Sequence, residues 1–260
     1  MHRSTFACCA ALLAAVGLTA LPSWAADKTV VTVFAAASLK EAFDAAAPAF
    51  TKTTGYPVRF SYGGSDTLVA QLLQGAPADV FASANQQQMQ RALDGGAVVS
   101  ARNFARNRLV VIVPANDTAV AAVADLGKKG AKVVLAAPSV PVGNYARQTF
   151  ANLAKDPAFG ADFAARVQAN VVSEETDVKA VATKIALGEG DAGVVYATDV
   201  TPSIAPKVRV LRFPAGAAPD ATYPIAVTKN APNAEGGRAF VDFITSPAGQ
   251  AFLKARGFEE

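Results

Sequence analysis

The sequence predicts an α/β fold with mainly parallel sheets, on three observations. Short apolar, strand-like runs alternate almost throughout with segments whose apolar residues recur at helical spacing. The pattern restarts after Pro114, which divides the chain into two lobes. Two of the early runs end in short, uncharged loops that open a helix. Val30 to Phe34 leads into Ala35-Ala36-Ala37-Ser38, and Val58 to Tyr62 leads into Gly63-Gly64-Ser65. In open α/β sheets ligands bind beyond the carboxyl ends of strands, which is where Ser38 and Ser65 fall.

Residues 1–25 read as a secretory signal. Arg3 supplies the positive end, Ala10 to Ala20 the apolar stretch, and Ser23-Trp24-Ala25 the small residues before a cleavage point after Ala25 or Ala26. Pro22 and Ser23 cut the apolar run short of the roughly 20 residues that a membrane-spanning helix needs. Cleavage removes His2, Cys8, Cys9 and Trp24, so the mature chain has no histidine, cysteine or tryptophan. Ser-His-Asp and Cys-His nucleophile systems, zinc sites of His or Cys, and disulfides are thereby excluded. Loss of Arg3 lowers the Lys plus Arg count from 24 to 23 against 21 acids, a net charge of +2. That near-neutral balance argues against nucleic acid as a partner.

The elements follow in order. After Ser38, Leu39, Ala42, Phe43, Ala46 and Phe50 keep helical spacing; after Ser65, Leu68, Val69, Leu72 and Leu73 do the same. Ala78 to Ala82 reads as a buried strand, and Gln86 to Leu93 as a helix stopped by Gly95-Gly96. Leu109 to Val113 is a strand ended by Pro114, followed by a strand at Val133–Ala136 and a helix from Asn144 to Ala154. Val167–Val172 is expected as a strand, Val178–Leu187 as a helix closing at Gly188, and Ala192–Tyr196 as a strand. Val208–Phe213 and Ile225–Thr228 complete the strands. One last helix, Glu235 to Ala255, carries Phe240, Phe243, Ile244, Phe252 and Leu253 on a face expected to pack on the first lobe.

A helix start offers unpaired N–H groups and the positive end of the helix dipole, and tiny side chains in front of it let a tetrahedral anion reach those donors. Ser38 and Ser65 are therefore candidate anion donors, although serine at a helix start is most often a plain cap. Pro138-Ser139-Val140-Pro141-Val142-Gly143-Asn144-Tyr145 joins a strand to a helix, stiffened by its prolines, with Gly143 admitting a close approach. Thr176-Asp177-Val178 opens another helix, with Asp177 expected as its cap because a carboxylate would repel an anion. Gly193-Val194-Val195-Tyr196 ends a strand in a phenol that either donates to a ligand or belongs to the core. The adjacent acids Glu174 and Glu175 point different ways on a loop and make a poor catalytic pair. Lys128-Lys129 and Arg102, Arg106 and Arg108 read as surface charge, and Asn116-Asp117-Thr118 is a weak, isolated glycosylation match.

These segments resemble the periplasmic molybdate-binding proteins, the capture components of molybdate ABC transporters. The likeness runs over the whole mature chain and is carried by Val33-Phe34-Ala35-Ala36-Ala37-Ser38-Leu39, Gly75-Ala76-Pro77-Ala78-Asp79-Val80-Phe81 and Gly193-Val194-Val195-Tyr196. Val142-Gly143-Asn144-Tyr145-Ala146, Gly249 to Phe252 and Gly257-Phe258 add to it. The resemblance implies a two-lobed type II periplasmic-binding-protein fold, each lobe a mainly parallel sheet flanked by helices, with the ligand in the interlobe cleft. Residues 26–108 and 225–260 would form lobe 1, and 109–224 lobe 2. It implies anion ligands Ser38 and Ser65 from the first lobe, the backbone N–H groups of Val142 and Val178, and the Tyr196 hydroxyl from the second. Molybdenum would be bound only as molybdate, through these residues. Where the family carries a serine-rich loop this chain has Gly63-Gly64-Ser65-Asp66-Thr67; Ser65 is aligned through Thr67-Leu68, with Thr67 its competitor and Asp66 expected to turn away. The implied function is capture of molybdate, and of tungstate, by a periplasmic monomer that passes it to a membrane permease, without catalysis or a cofactor. Sulfate or another tetrahedral oxyanion is the alternative ligand.

Overall fold

The computed structural model describes residues 28–260 and His2; the expected secretory signal, with Cys8, Cys9, Trp24 and both cleavage positions, otherwise lies outside the described residues. Strand β1 (Val31–Ala36) is apolar on both faces because it lies inside a sheet, paired in parallel with β2 (Val58–Gly63) and β3 (Val80–Ala82). Two further strands, β4 (Arg102–Asn107) and β10 (Ala221–Val227), complete the order β2-β1-β3-β10-β4. The second sheet contains β5 (Leu109–Pro114), β6 (Val133–Ala136), β7 (Val171–Glu175), β8 (Ala192–Tyr196) and β9 (Val208–Arg212), in the order β7-β6-β8-β5-β9.

The two sheets share one plan. The strand that enters each lobe after a crossing, β5 or β10, lies antiparallel to both neighbours, and the other four run in one direction. The protein is a two-lobed α/β fold of mixed, mainly parallel sheets flanked by helices. The chain passes between lobes at Asn107-Arg108, between β4 and β5, and again along residues 213–220, between β9 and β10. Strand β10 begins at Ala221, ahead of the Ile225 at which the sequence placed the return.

Helices α1 (Lys40–Thr54), α2 (Ser65–Leu73) and α3 (Gln86–Asp94) serve the first sheet, and α4 (Pro141–Leu153), α5 (Phe163–Ala169) and α6 (Val178–Ala186) the second. The last apolar face does return to lobe 1. Phe240 stands edge-on to Phe43 and Phe50, at 5.4 and 5.2 Å between ring centroids, and such pairs contribute about 0.5–1.5 kcal/mol each beyond area burial. Asp79, fully buried ahead of β3, ties that lobe together. Its carboxylate accepts the Thr32 N–H at 2.7 Å and the Asn233 N–H at 2.6 Å.

Arg102, Arg106 and Arg108 are exposed, as expected of surface charge, but the first two lie on edge strand β4, which the sequence pattern did not place and whose Phe104, Ala105 and Asn107 are buried. Two expectations need correction. Val167 belongs to helix α5, buried one turn from Phe163, and the strand starts only at Val171. The final helix is two, α7 (Ala234–Thr245) and α8 (Pro247–Lys254). Pro247 lacks the N–H to continue α7 but fits the first position of α8, which Ser246 caps by accepting the Gly249 N–H.

Candidate functional site

Four helix starts converge between the lobes. Ala36 to Ser38 precede α1, Gly63 to Ser65 open α2, Val140 to Val142 open α4, and Asp177-Val178 open α6; with Ala84 and Tyr196 they line one cavity. The space open to the centre of a water-sized sphere is about 10 Å³, room for the centre of one small particle. Larger recesses, such as one of about 770 Å³ beside β4 and α8, lie away from these helix starts. Ser38, Ser65, Val142, Val178 and Tyr196, distant in sequence, all line the small cavity and are all buried.

Neither serine spends its hydroxyl on capping. Ser38 lies inside a short 3-10 turn, Ala37–Leu39, and α1 has no side-chain cap. Its Oγ instead sits 2.9 Å from the Tyr223 hydroxyl. Ser65 is already helical, since Gly64 is the N-cap of α2, and its Oγ accepts the Ala84 N–H at 3.0 Å. With that acceptor role filled by a backbone donor, the Ser65 proton is free for the cavity. Thr67, the competing residue, is exposed, and Asp66 points its Oδ2 to the Ser139 hydroxyl of the other lobe, 2.6 Å away.

The second lobe contributes backbone donors. Pro141 has no N–H and α4 has no side-chain cap, so the Val142 N–H is among the donors left unpaired at that helix start. Gly143 makes its close approach to protein: a Cβ there would lie 2.2 Å from the Ala137 carbonyl oxygen, so its absence lets α4 begin tight against the end of β6. Asp177 does cap α6, accepting the N–H groups of Lys179 and Ala180 and leaving the Val178 N–H outside the cap. Tyr196 is fully buried, and its hydroxyl finds no hydrogen-bond partner among the described residues. Tyr223 stands edge-on beside it, 5.7 Å between centroids, without hydrogen-bond alignment of the two phenols. Burial holds both phenols far above their usual pKa, so each keeps its proton as a donor. Among the described residues no lysine or arginine lines the cavity, and the one carboxylate on it is the capping Asp177. Its positive potential comes from four helix ends.

The bacterial extracellular solute-binding protein family matches residues 31–259. The chain belongs to that family. The molybdate-binding protein ModA of Mycobacterium tuberculosis is 38% identical over 231 residues, 88% of this chain and 84% of that one. A substrate-binding domain of a putative molybdenum ABC transporter from Clostridium difficile superimposes with a TM-score of 0.65 at 28% identity, over 90% of this chain and 99% of that one. The fold is shared with the sulfate-binding protein SubI of Mycobacterium tuberculosis, at a TM-score of 0.78 and 20% identity, over 88% of this chain and 86% of that one. This solute-binding protein is thus a type II binding protein homologous to molybdate-binding proteins.

The lobes of this solute-binding protein are joined across the cleft by polar contacts that local sequence gives no sign of. Lys179 on α6 reaches Glu41 on α1 at 2.7 Å, and Gln88 on α3 donates to the Ser139 carbonyl at 2.9 Å. Lys179 also lies 3.2 Å from Asp199 Oδ1, an ion pair without hydrogen-bond alignment. Burial raises the fully enclosed Asp199 to a pKa of about 6, against the lowering effect of Lys179. Burial would lower Lys179, but the carboxylates of Asp199 and Glu41 prevail and raise it. Asp199 Oδ2 accepts the Tyr196 N–H at 3.2 Å, which fixes the strand end that carries the phenol.

Proposed function

We propose that this protein captures molybdate, and tungstate, in the periplasm and passes it to the permease of an ABC transporter. The observation that carries the reading is the unpartnered Tyr196 hydroxyl, aimed with two serine hydroxyls and two helix starts at a cavity of single-ion size. Ser38, Ser65 and Tyr196 donate through hydroxyls and Val142 and Val178 through backbone N–H groups. The identity to the Mycobacterium tuberculosis molybdate-binding protein supports molybdate as the ion. The protein acts as a monomer and without a catalytic step.

A buried dianion loses hydration worth tens of kcal/mol, so the site must return aimed donors. Hydrogen bonds to a charged group contribute roughly 1.5–3 kcal/mol each, so five give on the order of 8–15 kcal/mol. Micromolar to nanomolar affinity corresponds to about 8–12 kcal/mol net. Neutral donors therefore suffice without a formal positive charge. A lining of donors also disfavours hydrogen phosphate, whose own O–H needs an acceptor, whereas molybdate, tungstate and sulfate carry none at neutral pH. Among these three, discrimination rests on cavity size.

A thermal-shift series over molybdate, tungstate, sulfate and phosphate tests the reading. Ligand at about 100 times Kd stabilises by roughly 2.7 kcal/mol, which for a chain of this size moves Tm by about 5–11 °C. A shift with molybdate and tungstate at concentrations where sulfate gives none is expected. A shift with sulfate alone would replace the ligand, and no shift with any oxyanion would overturn the reading.

A further inference from the structure

The Ser38 hydroxyl is met from behind by a chain of hydrogen bonds that begins at the first lobe crossing. Asn107 ends β4, and its Oδ1 accepts the Arg108 N–H at 2.9 Å. That backbone donor fixes the orientation of the amide, so Nδ2 must face the other way. There it donates to Thr198 Oγ1 at 2.8 Å and to the Tyr223 hydroxyl at 3.4 Å. The Tyr223 and Ser38 hydroxyl oxygens lie 2.9 Å apart, a contact in which either can donate. The direction assigned below has Tyr223, accepting from Asn107, donate to Ser38 Oγ. Ser38 then has its acceptor role filled, and its proton is left for the cavity that it lines. Asn107, Tyr223 and Ser38 are buried, and Thr198 is half-buried. Tyr223 does not line the cavity, and it sits on β10, the strand entered from the second crossing.

We infer that Tyr223 is a positioning and specificity-determining residue: by donating to Ser38 Oγ it fixes Ser38 as a donor toward a fully deprotonated oxyanion. The inference rests on the oxyanion reading of the site and adds the origin of its preference. A serine without such a neighbour can rotate its proton away and accept one from a hydrogen phosphate. With Tyr223 and Asn107 in place the Ser38 proton is committed to the ligand, so a protonated oxyanion meets O–H against O–H. The commitment is relayed from a backbone N–H at the hinge, where Asn107 also holds Thr198 of the second lobe.

The test is a double-mutant cycle read by calorimetric Kd values for molybdate and for inorganic phosphate. Tyr223→Phe is expected to weaken molybdate roughly 3- to 10-fold, the effect of one lost hydrogen bond. The same variant is expected to narrow the molybdate-to-phosphate ratio. In a Ser38→Ala background Tyr223→Phe should change molybdate affinity by less than about twofold, because the residue acts through Ser38. Equal losses in both backgrounds, or an unchanged Kd and an unchanged ratio, would overturn the inference and leave the oxyanion site standing. Failure of the unsubstituted protein to bind any oxyanion would overturn both. Should Tyr223→Phe not fold, Asn107→Asp gives a second reading. Its carboxylate accepts from Tyr223, turns that proton away from Ser38, and should produce the same loss and the same narrowing.

Discussion

Gly64 lies against the carbonyl of Thr176 across the cleft: a Cβ on Gly64 would sit 2.5 Å from that oxygen. Gly64 caps α2 in lobe 1, and Thr176 precedes α6 in lobe 2, so this approach exists only while the lobes are closed. The backbone of Gly64, at φ −62° and ψ 135°, is one that alanine adopts freely. Gly64→Ala is therefore expected to fold normally and to close poorly. Its molybdate Kd should rise roughly 5- to 150-fold, from the 1–3 kcal/mol cost of overpacking, with little change in the Tm of the ligand-free protein. Calorimetry and thermal melts check both halves; an unchanged Kd would mean that the site does not require this approach.

Tyr196→Phe removes a hydroxyl that is buried without a protein partner. Burying such a group costs free energy, so the ligand-free variant should be as stable as the parent or slightly more stable. With molybdate the hydroxyl gains a charged acceptor, and its loss should weaken binding by roughly 10- to 100-fold. Stopped-flow displacement is expected to show the change mainly as faster release. A large drop in ligand-free Tm with unchanged affinity would make Tyr196 a core residue only.

Asp199 gives the protein a pH dependence of uncommon sign. Its folded pKa of about 6 lies above the ordinary carboxyl value of 3.8, so the folded state binds more protons than the unfolded state between those values. Stability therefore falls as pH rises through that window, by about 1–3 kcal/mol, and levels off above pH 6. The Lys179 contribution, a raised pKa, is constant here and is lost only in strong alkali. Asp125 and Glu175 have lowered pKa values and act at the acid end, where their contributions vanish as pH falls below the usual carboxylate range. Urea unfolding from pH 4.5 to 7 should show the decline, and Asp199→Asn should flatten it. An equal slope in that variant would assign the dependence elsewhere.

Much of this was legible because each piece was local. Apolar runs ending in small residues marked β1 and β2, and the serines at their ends lie where the helices begin. Asp177 looked like a cap and is one. What escaped the sequence was made by topology. Edge strand β4 buries Phe104 on one face and Ala105 and Asn107 on the other, so it carries no apolar alternation, and Arg102 and Arg106 hid it further. The α7–α8 break was written in Ser246-Pro247 but hidden by an apolar spacing that continues through it. Tyr223, Asn107 and Asp199 carry no motif of their own. They meet Ser38 and Tyr196 only because the chain crosses between the lobes twice. Tyr223 and Ser38 are 185 residues apart, and no local pattern links them.

Asp79 supports the first lobe without touching the cavity. Asp79→Ala would orphan the N–H groups of Thr32 and Asn233, which it accepts at 2.7 and 2.6 Å. At about 1–3 kcal/mol for each orphaned donor, the loss should be roughly 2–5 kcal/mol in urea unfolding. Any variant protein that remains folded should retain near-parental molybdate affinity. A destabilisation below about 0.5 kcal/mol would contradict the anchoring role.

The most direct measurement is anomalous diffraction at the molybdenum edge from crystals of the mature protein grown with molybdate. The account predicts one strong peak between the four helix starts, with oxo groups within hydrogen-bond distance of the Ser38, Ser65 and Tyr196 hydroxyls. It also predicts N–H contacts from Val142 and Val178, and no lysine or arginine on the ion. A peak elsewhere, or molybdate held by the surface arginines of β4, would contradict it.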